Sequence, residues 1–146
     1  MAVMHDTRRL DRLLEFRIGE EERALAQEAA LLRQVEAIRQ RARALESQLT
    51  RNRRPGQALP GWRELRDEQL WGLKLHGHLQ AQRALLRQHE VRLAEARAEV
   101  AEAGRRRLAV QGMAEASRLS HARRREAASQ SDVDEHGRLQ ALLREG

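Results

Sequence analysis

The stretch that decides the fold is Pro55-Gly56-Gln57-Ala58-Leu59-Pro60-Gly61. It holds both prolines of the chain and two of its nine glycines, and it is the only strong interruption of helix-forming sequence. A proline pushes the residue before it out of the helical region, so a helix arriving from upstream must stop before Pro55. Upstream, residues 7–54 contain one glycine and no proline and read as one long helix. Asp6 or Thr7 can cap it by accepting bonds from its first free N–H groups. Within it Leu31, Val35, Ile38, Ala42, Leu45 and Leu49 follow a 4-3-4-3-4 spacing, a seam wide enough for one partner helix. Leu10 and Leu14 fit that register, whereas Ile18 and Leu25 are offset, which predicts a stutter near Gly19.

Downstream, a second helix starts near Trp62. Pro60 suits a first-turn position, and Glu64, Asp67 and Glu68 complement the positive end of a helix. Its seam is Leu79, Leu86, Leu93 and Val100, with Leu75, Gln82, His89, Ala96 and Ala103 between. The spacing predicts helix 1 over 7–54, a turn at 55–61 and helix 2 over 62–145. A break in helix 2 is left open near 104–112, where Gly104 and Gly112 sit, or near 130. Ser131 to Glu135 could cap a separate short helix there.

One break between two seams predicts an all-α fold, a single long antiparallel two-helix coiled-coil hairpin. Folding about residue 58 pairs positions whose numbers add to about 116. Leu45 then meets Trp71, Ile38 meets Leu79, Leu31 meets Leu86, and Ile18 meets Ala98 or Val100. Each well-buried Leu or Ile contributes roughly 1.5–3 kcal/mol, so about a dozen can hold two helices together without a globular core. Helix 1 is exhausted opposite residue 109, which leaves 111–146 as an overhanging C-terminal helix. The overhang still carries Met113, Leu119, Val133, Leu139, Leu142 and Leu143, and another protein is expected to bury them.

Composition agrees. Arg, Ala, Leu, Glu and Lys make up 90 of 146 residues, with three aromatics and no Cys. Strand-built folds, disulfide scaffolds and cysteine metal sites are thereby excluded. Residues 1–12 lack the apolar core of a signal peptide, and no apolar run reaches the roughly 20 residues that span a bilayer. A cytoplasmic protein is expected. His76 and His78 point about 200° apart on a helix and cannot chelate one ion together. Ser120 beside His121 has no acid to orient it, and no glycine-rich phosphate loop exists. The chain therefore reads as no enzyme, with no cofactor, metal or small-molecule substrate. The formal charge of +6 favours acidic partners. The clusters Arg51/Arg53/Arg54, Arg105–Arg107 and Arg123–Arg125 suit nucleic acid as one alternative. Their interleaving with Glu, and the lack of stacking aromatics among them, favour solvated helix faces or protein docking instead. Trp62 and Trp71, at the start of helix 2, read either as packing near the turn or as exposed anchors for a partner.

The sequence resembles the FliJ family of flagellar export proteins and its relatives, the YscO-type stalk proteins of injectisomes. Arg9-Leu10-Asp11-Arg12-Leu13-Leu14-Glu15-Phe16-Arg17 followed by Glu20-Glu21-Glu22 is similar to the family's opening. Trp62, Trp71, Leu75, Leu79, Gln82 and Leu86 resemble the start of its second helix, and Arg125-Glu126, Gln130, Asp134 and Glu135 its closing signature. Leu65 and Leu70 stand where the family often has aromatics, and Ser131 near an expected Lys. The opening and closing motifs favour the flagellar branch, with the injectisome branch as the alternative. The resemblance implies a cytoplasmic component of a type III export apparatus, peripheral at the inner membrane. It implies a central stalk whose helix ends enter a hexameric export ATPase, and contacts with the export gate membrane protein and with export chaperones. It assigns the gate contact to Trp71, Leu75, His78 and Gln82. Contact with the ATPase falls to the helix ends: Arg8, Arg9, Arg12, Arg123, Arg124, Arg125, Leu139, Leu142 and Leu143.

Overall fold

A computed structural model describes residues 2–51 and 61–145, with side chains from residue 5 onward. Among the described residues there are two helices, α1 over Ala2–Arg51 and α2 over Trp62–Glu145, and no strand. Most of the expected turn, including Pro60, and residues 52–54 of helix 1 lie outside the described residues. α1 begins earlier than the expected residue 7. Asp6 and Thr7 therefore sit inside the helix and do not cap it, and the Thr7 hydroxyl lies 3.4 Å from that of Ser117.

Gly61 caps α2. Its carbonyl accepts the first helical bond from the Leu65 N–H at 2.9 Å, and its own N–H donates to Glu64 Oε2 at 3.4 Å. The second contact is the return half of a capping box, and it puts Glu64 in the first turn, where the helix dipole favours a carboxylate. α2 then runs unbroken through Gly104, Gly112 and Gln130, without the break left open there. Each glycine costs about 1 kcal/mol against Ala. Gly104 and Gly112 are isolated among strong helix formers and cannot interrupt the backbone ladder. Ser131 to Glu135 continue the helix and start no new one.

The chain divides into two compact units. One is Arg23–Ala101, and the other joins Met1–Glu22 to Glu102–Gly146. In Arg23–Ala101, the buried residues are Val35, Ile38 and Ala42 of α1 and Leu75, Leu79, Leu93 and Ala96 of α2. Leu31, Leu45, Leu49, Leu86, His89 and Val100 are half-buried at the same seven-residue spacing. Cross-helix ion pairs join Glu46 to Arg83 at 3.1 Å, Arg39 to Glu90 at 3.4 Å and Glu28 to Arg97 at 3.6 Å. Partners on α2 advance as those on α1 recede, and the paired numbers add to 125–129, against the expected 116. The difference, 9 to 13 residues, is about three layers of a seam whose apolar positions recur every three or four residues, so sliding between the registers keeps apolar opposite apolar. Charge separates them. In the 116 register Glu46 would face Leu70 and Arg39 would face Gly77, whereas the observed register gives each an opposite charge. Leu45 and Trp71 are consequently not partners, and Trp71 is half exposed.

In the second unit, Ala103, Val110 and Ala114 of α2 are buried. Leu10, Leu14, Arg17 and Glu21 of α1 and Arg107 and Ser117 of α2 are half-buried. Asp11 pairs with Arg118 at 2.6 Å, and Glu21 with Arg107, which also donates to Gln111 Oε1 at 2.8 Å. The expected stutter near Gly19 is absent. The seven-residue count of half-buried positions continues through Arg17, Glu21, Ala24 and Glu28, leaving Ile18 and Leu25 exposed. Polar residues can hold those positions because Glu21 and Glu28 each meet an arginine of α2. The fit is imperfect: Arg17 Nε is buried without a hydrogen-bond partner, a loss that costs about 1–3 kcal/mol for a buried polar group.

No residue from 122 to 145 is buried or half-buried. The uncovered stretch was expected from residue 111. It starts later by the same offset that moves the register, and His121 is its last half-buried neighbour.

Candidate partner-docking faces

The expected gate stripe is divided between two faces of α2. Leu75 is buried and Gln82 half-buried, both in the seam, and Gln82 Oε1 has no hydrogen-bond partner. Trp71 and His78, also seven residues apart, flank that seam and are exposed. What a partner can reach on this helix is therefore Trp71 and His78, not Leu75. Three further apolar side chains near the start of α2 are exposed: Trp62, Leu70 and Leu73. Sequence reasoning missed Leu70 and Leu73 as surface residues. The signal was available, since neither falls on the seven-residue columns of the seam.

The residues expected to meet an ATPase all lie in the unit formed by Met1–Glu22 and Glu102–Gly146. Arg8, Arg9 and Arg12 are exposed on α1, and Arg123, Arg124 and Arg125 on α2; among the described residues none has a carboxylate partner. Leu139, Leu142 and Leu143 are 54%, 66% and 81% exposed. Single exposed leucines are ordinary, but a helical segment without one covered side chain contributes nothing to its own tertiary stability.

The arginine clusters differ in use. Arg105 donates to Glu102 at 2.7 Å, Arg106 lies 3.5 Å from the same carboxylate, and Arg107 meets Glu21. This cluster is thus occupied within the chain. The hydrogen bond and charge of Arg105, with a smaller effect of Arg106, hold the Glu102 carboxyl below the usual range. Arg123–Arg125 is the cluster left open. Arg53 and Arg54 lie outside the described residues. The formal excess of positive charge falls in Arg23–Ala101, with 15 basic against 9 acidic side chains, while the rest of the chain balances 13 against 13.

Among the described residues no group of three or more His, Asp or Glu side chains could hold a metal ion, and no helix is long and apolar enough to cross a membrane. The hollows along residues 125–138, lined by residues such as Ser129, Asp132 and Asp134, are shallow and open. They lack the enclosure a small-molecule site needs. Comparison with known proteins yields no match to any family model, curated protein or solved structure.

Proposed function

We propose that the chain is an antiparallel coiled-coil hairpin that serves as a non-enzymatic stalk in a flagellar type III protein export apparatus, at the cytoplasmic face of the inner membrane. The observation that carries this reading is the exposed stretch 122–145, a helix that α1 does not cover and that ends in Leu139, Leu142 and Leu143. A hexameric ATPase ring offers a central channel in which a lone helix is surrounded on all sides. The reversed order of the cross-helix ion pairs supports the hairpin. The open cluster Arg123–Arg125, with Arg8, Arg9 and Arg12 in the same unit, supplies cations for the rim of such a channel. Trp71 and His78 are the accessible part of the gate-contact stripe, and export chaperones are further partners in this reading.

Deleting residues 122–146 tests it. The shortened chain should unfold as cooperatively as the full one, because it loses no buried side chain, yet bind the export ATPase no longer. Retained binding would count against the stalk. A second reading, nucleic-acid binding, draws on the charge excess in Arg23–Ala101 and the exposed Trp62 and Trp71. It requires an affinity that falls steeply and linearly with the logarithm of salt concentration, and no binding at low salt removes it.

A further inference from the structure

Between Arg23 and Arg51, α1 carries six arginines and three glutamates. All three carboxylates are in use: Glu28 lies 3.6 Å from Arg97, Glu36 3.0 Å from Arg39 and Glu46 3.1 Å from Arg83. Among the described residues Arg23, Arg33, Arg41, Arg43 and Arg51 are exposed and meet no carboxylate. The carboxylates of Arg23–Ala101 that meet no arginine, such as Glu95 and Glu99, are all on α2. The open positive charge of this unit is thus concentrated on α1. At about 100° per residue, Arg33 and Arg51 point the same way, and the seam of Leu31, Val35, Ile38 and Ala42 lies about 140–200° from them. Arg43 stands about 80° to one side, and Leu25 and Leu32 about 80–100° to that same side. These leucines, 45% and 40% exposed, are apolar side chains that the seam leaves out.

We infer that this face of α1 docks on an anionic phospholipid bilayer, with Arg33, Arg43 and Arg51 among the phosphates and Leu25 and Leu32 at the boundary of the acyl chains. Charge complementarity selects an anionic partner. The layout of the face selects a bilayer. Arg33 and Arg51 lie on one line of the helix about 27 Å apart, so a flat sheet of phosphates meets both, and Arg43 between them. A single nucleic-acid strand would stack on aromatic side chains, and Arg23 to Arg51 holds none. A duplex backbone gives the two leucines nothing apolar to enter, whereas a helix lying in a bilayer interface uses basic and apolar side chains side by side. The inference does not rest on the stalk reading, because vesicles alone report it.

Co-sedimentation of the full chain at low salt with vesicles of equal parts phosphatidylglycerol and phosphatidylcholine tests it. Each arginine near an anionic surface is worth about fivefold in partition, so Arg33→Gln/Arg43→Gln/Arg51→Gln should weaken binding about a hundredfold. Arg63→Gln/Arg66→Gln/Arg87→Gln removes the same charge from exposed positions of α2 and should weaken binding by less than about tenfold. Leu25→Ser/Leu32→Ser keeps the charge and should weaken binding about tenfold. Circular dichroism checks that each variant keeps the parent's helix content. The inference is overturned if the parent fails to bind these vesicles, if it binds phosphatidylcholine alone as well, or if the two arginine variants weaken binding equally. It is overturned too if the leucine variant binds as the parent does, since contact is then by charge alone, the mode open to a nucleic-acid backbone.

Discussion

Gly104→Ala and Gly112→Ala probe α2 at the place where its continuity is most open to challenge. Both glycines lie inside the helix, and a Cβ added at either meets nothing within 4 Å. No steric cost therefore opposes the gain from restricting the unfolded chain and raising helix propensity, about 1 kcal/mol per site. The sites are eight residues apart, about 12 Å along the helix, so their effects should add to about 2 kcal/mol. In a protein of this size about 1 kcal/mol moves Tm by roughly 2–4 °C, which places the double variant about 4–8 °C above the parent. Thermal unfolding followed by far-ultraviolet circular dichroism measures the shift. The sign carries the information. A glycine serving a break would adopt a backbone conformation that alanine resists, and its replacement would then lower Tm by more than the helical gain. A fall in Tm for either single variant refutes the continuous helix.

Two further expectations address the seam and its charges. Val35→Ala removes a side chain with no exposed surface and should cost about 2 kcal/mol, whereas Ile18→Ala, at a 39% exposed position outside the seam, should cost under about 1 kcal/mol. Equal losses in denaturant unfolding would return the seam to Ile18 and the stutter with it. Glu102 should titrate below the ordinary glutamate range by NMR, and Arg105→Ala should return it there. Because its pKa is lowered in the folded state, its contribution to stability is present above the unfolded value and lost as pH falls through the folded one. A Glu102 midpoint indifferent to Arg105 contradicts that pairing.

The two helices were legible because Pro55 to Gly61 is the only strong interruption of helix-forming sequence, and Leu31 to Leu49 state a seam that needs a partner. The register was not legible from the apolar residues alone. A heptad seam looks much the same after sliding by whole layers of three or four residues, and the choice falls to Arg39, Glu46, Arg83 and Glu90, whose pairing appears only once the helices are side by side. The uncovered end inherits that error, starting at 122 where the apolar match had put it at 111. Ile18 and Leu25 misled for a related reason: apolar side chains mark a seam only if nothing else can occupy it. Here Glu21 and Glu28 do so by meeting Arg107 and Arg97. Trp71, Leu75, His78 and Gln82, which the resemblance assigns to the gate, are spaced 4-3-4 along α2, a spacing that does not separate Leu75 and Gln82 in the seam from Trp71 and His78 on its flank.

Residues 122–145 form an exposed helix, and the proposed stalk function requires that another protein surround it. Amide hydrogen exchange of the full chain, alone and with the hexameric export ATPase, tests this most directly. In the free chain, amides of 122–145 should exchange fast and those near Val35, Ile38 and Leu93 slowly, since protection follows tertiary burial. Adding the ATPase should slow exchange across 122–145 and leave the seam residues unchanged. Strong protection of 122–145 in the free monomer, or no change when the ATPase is added, would contradict the account.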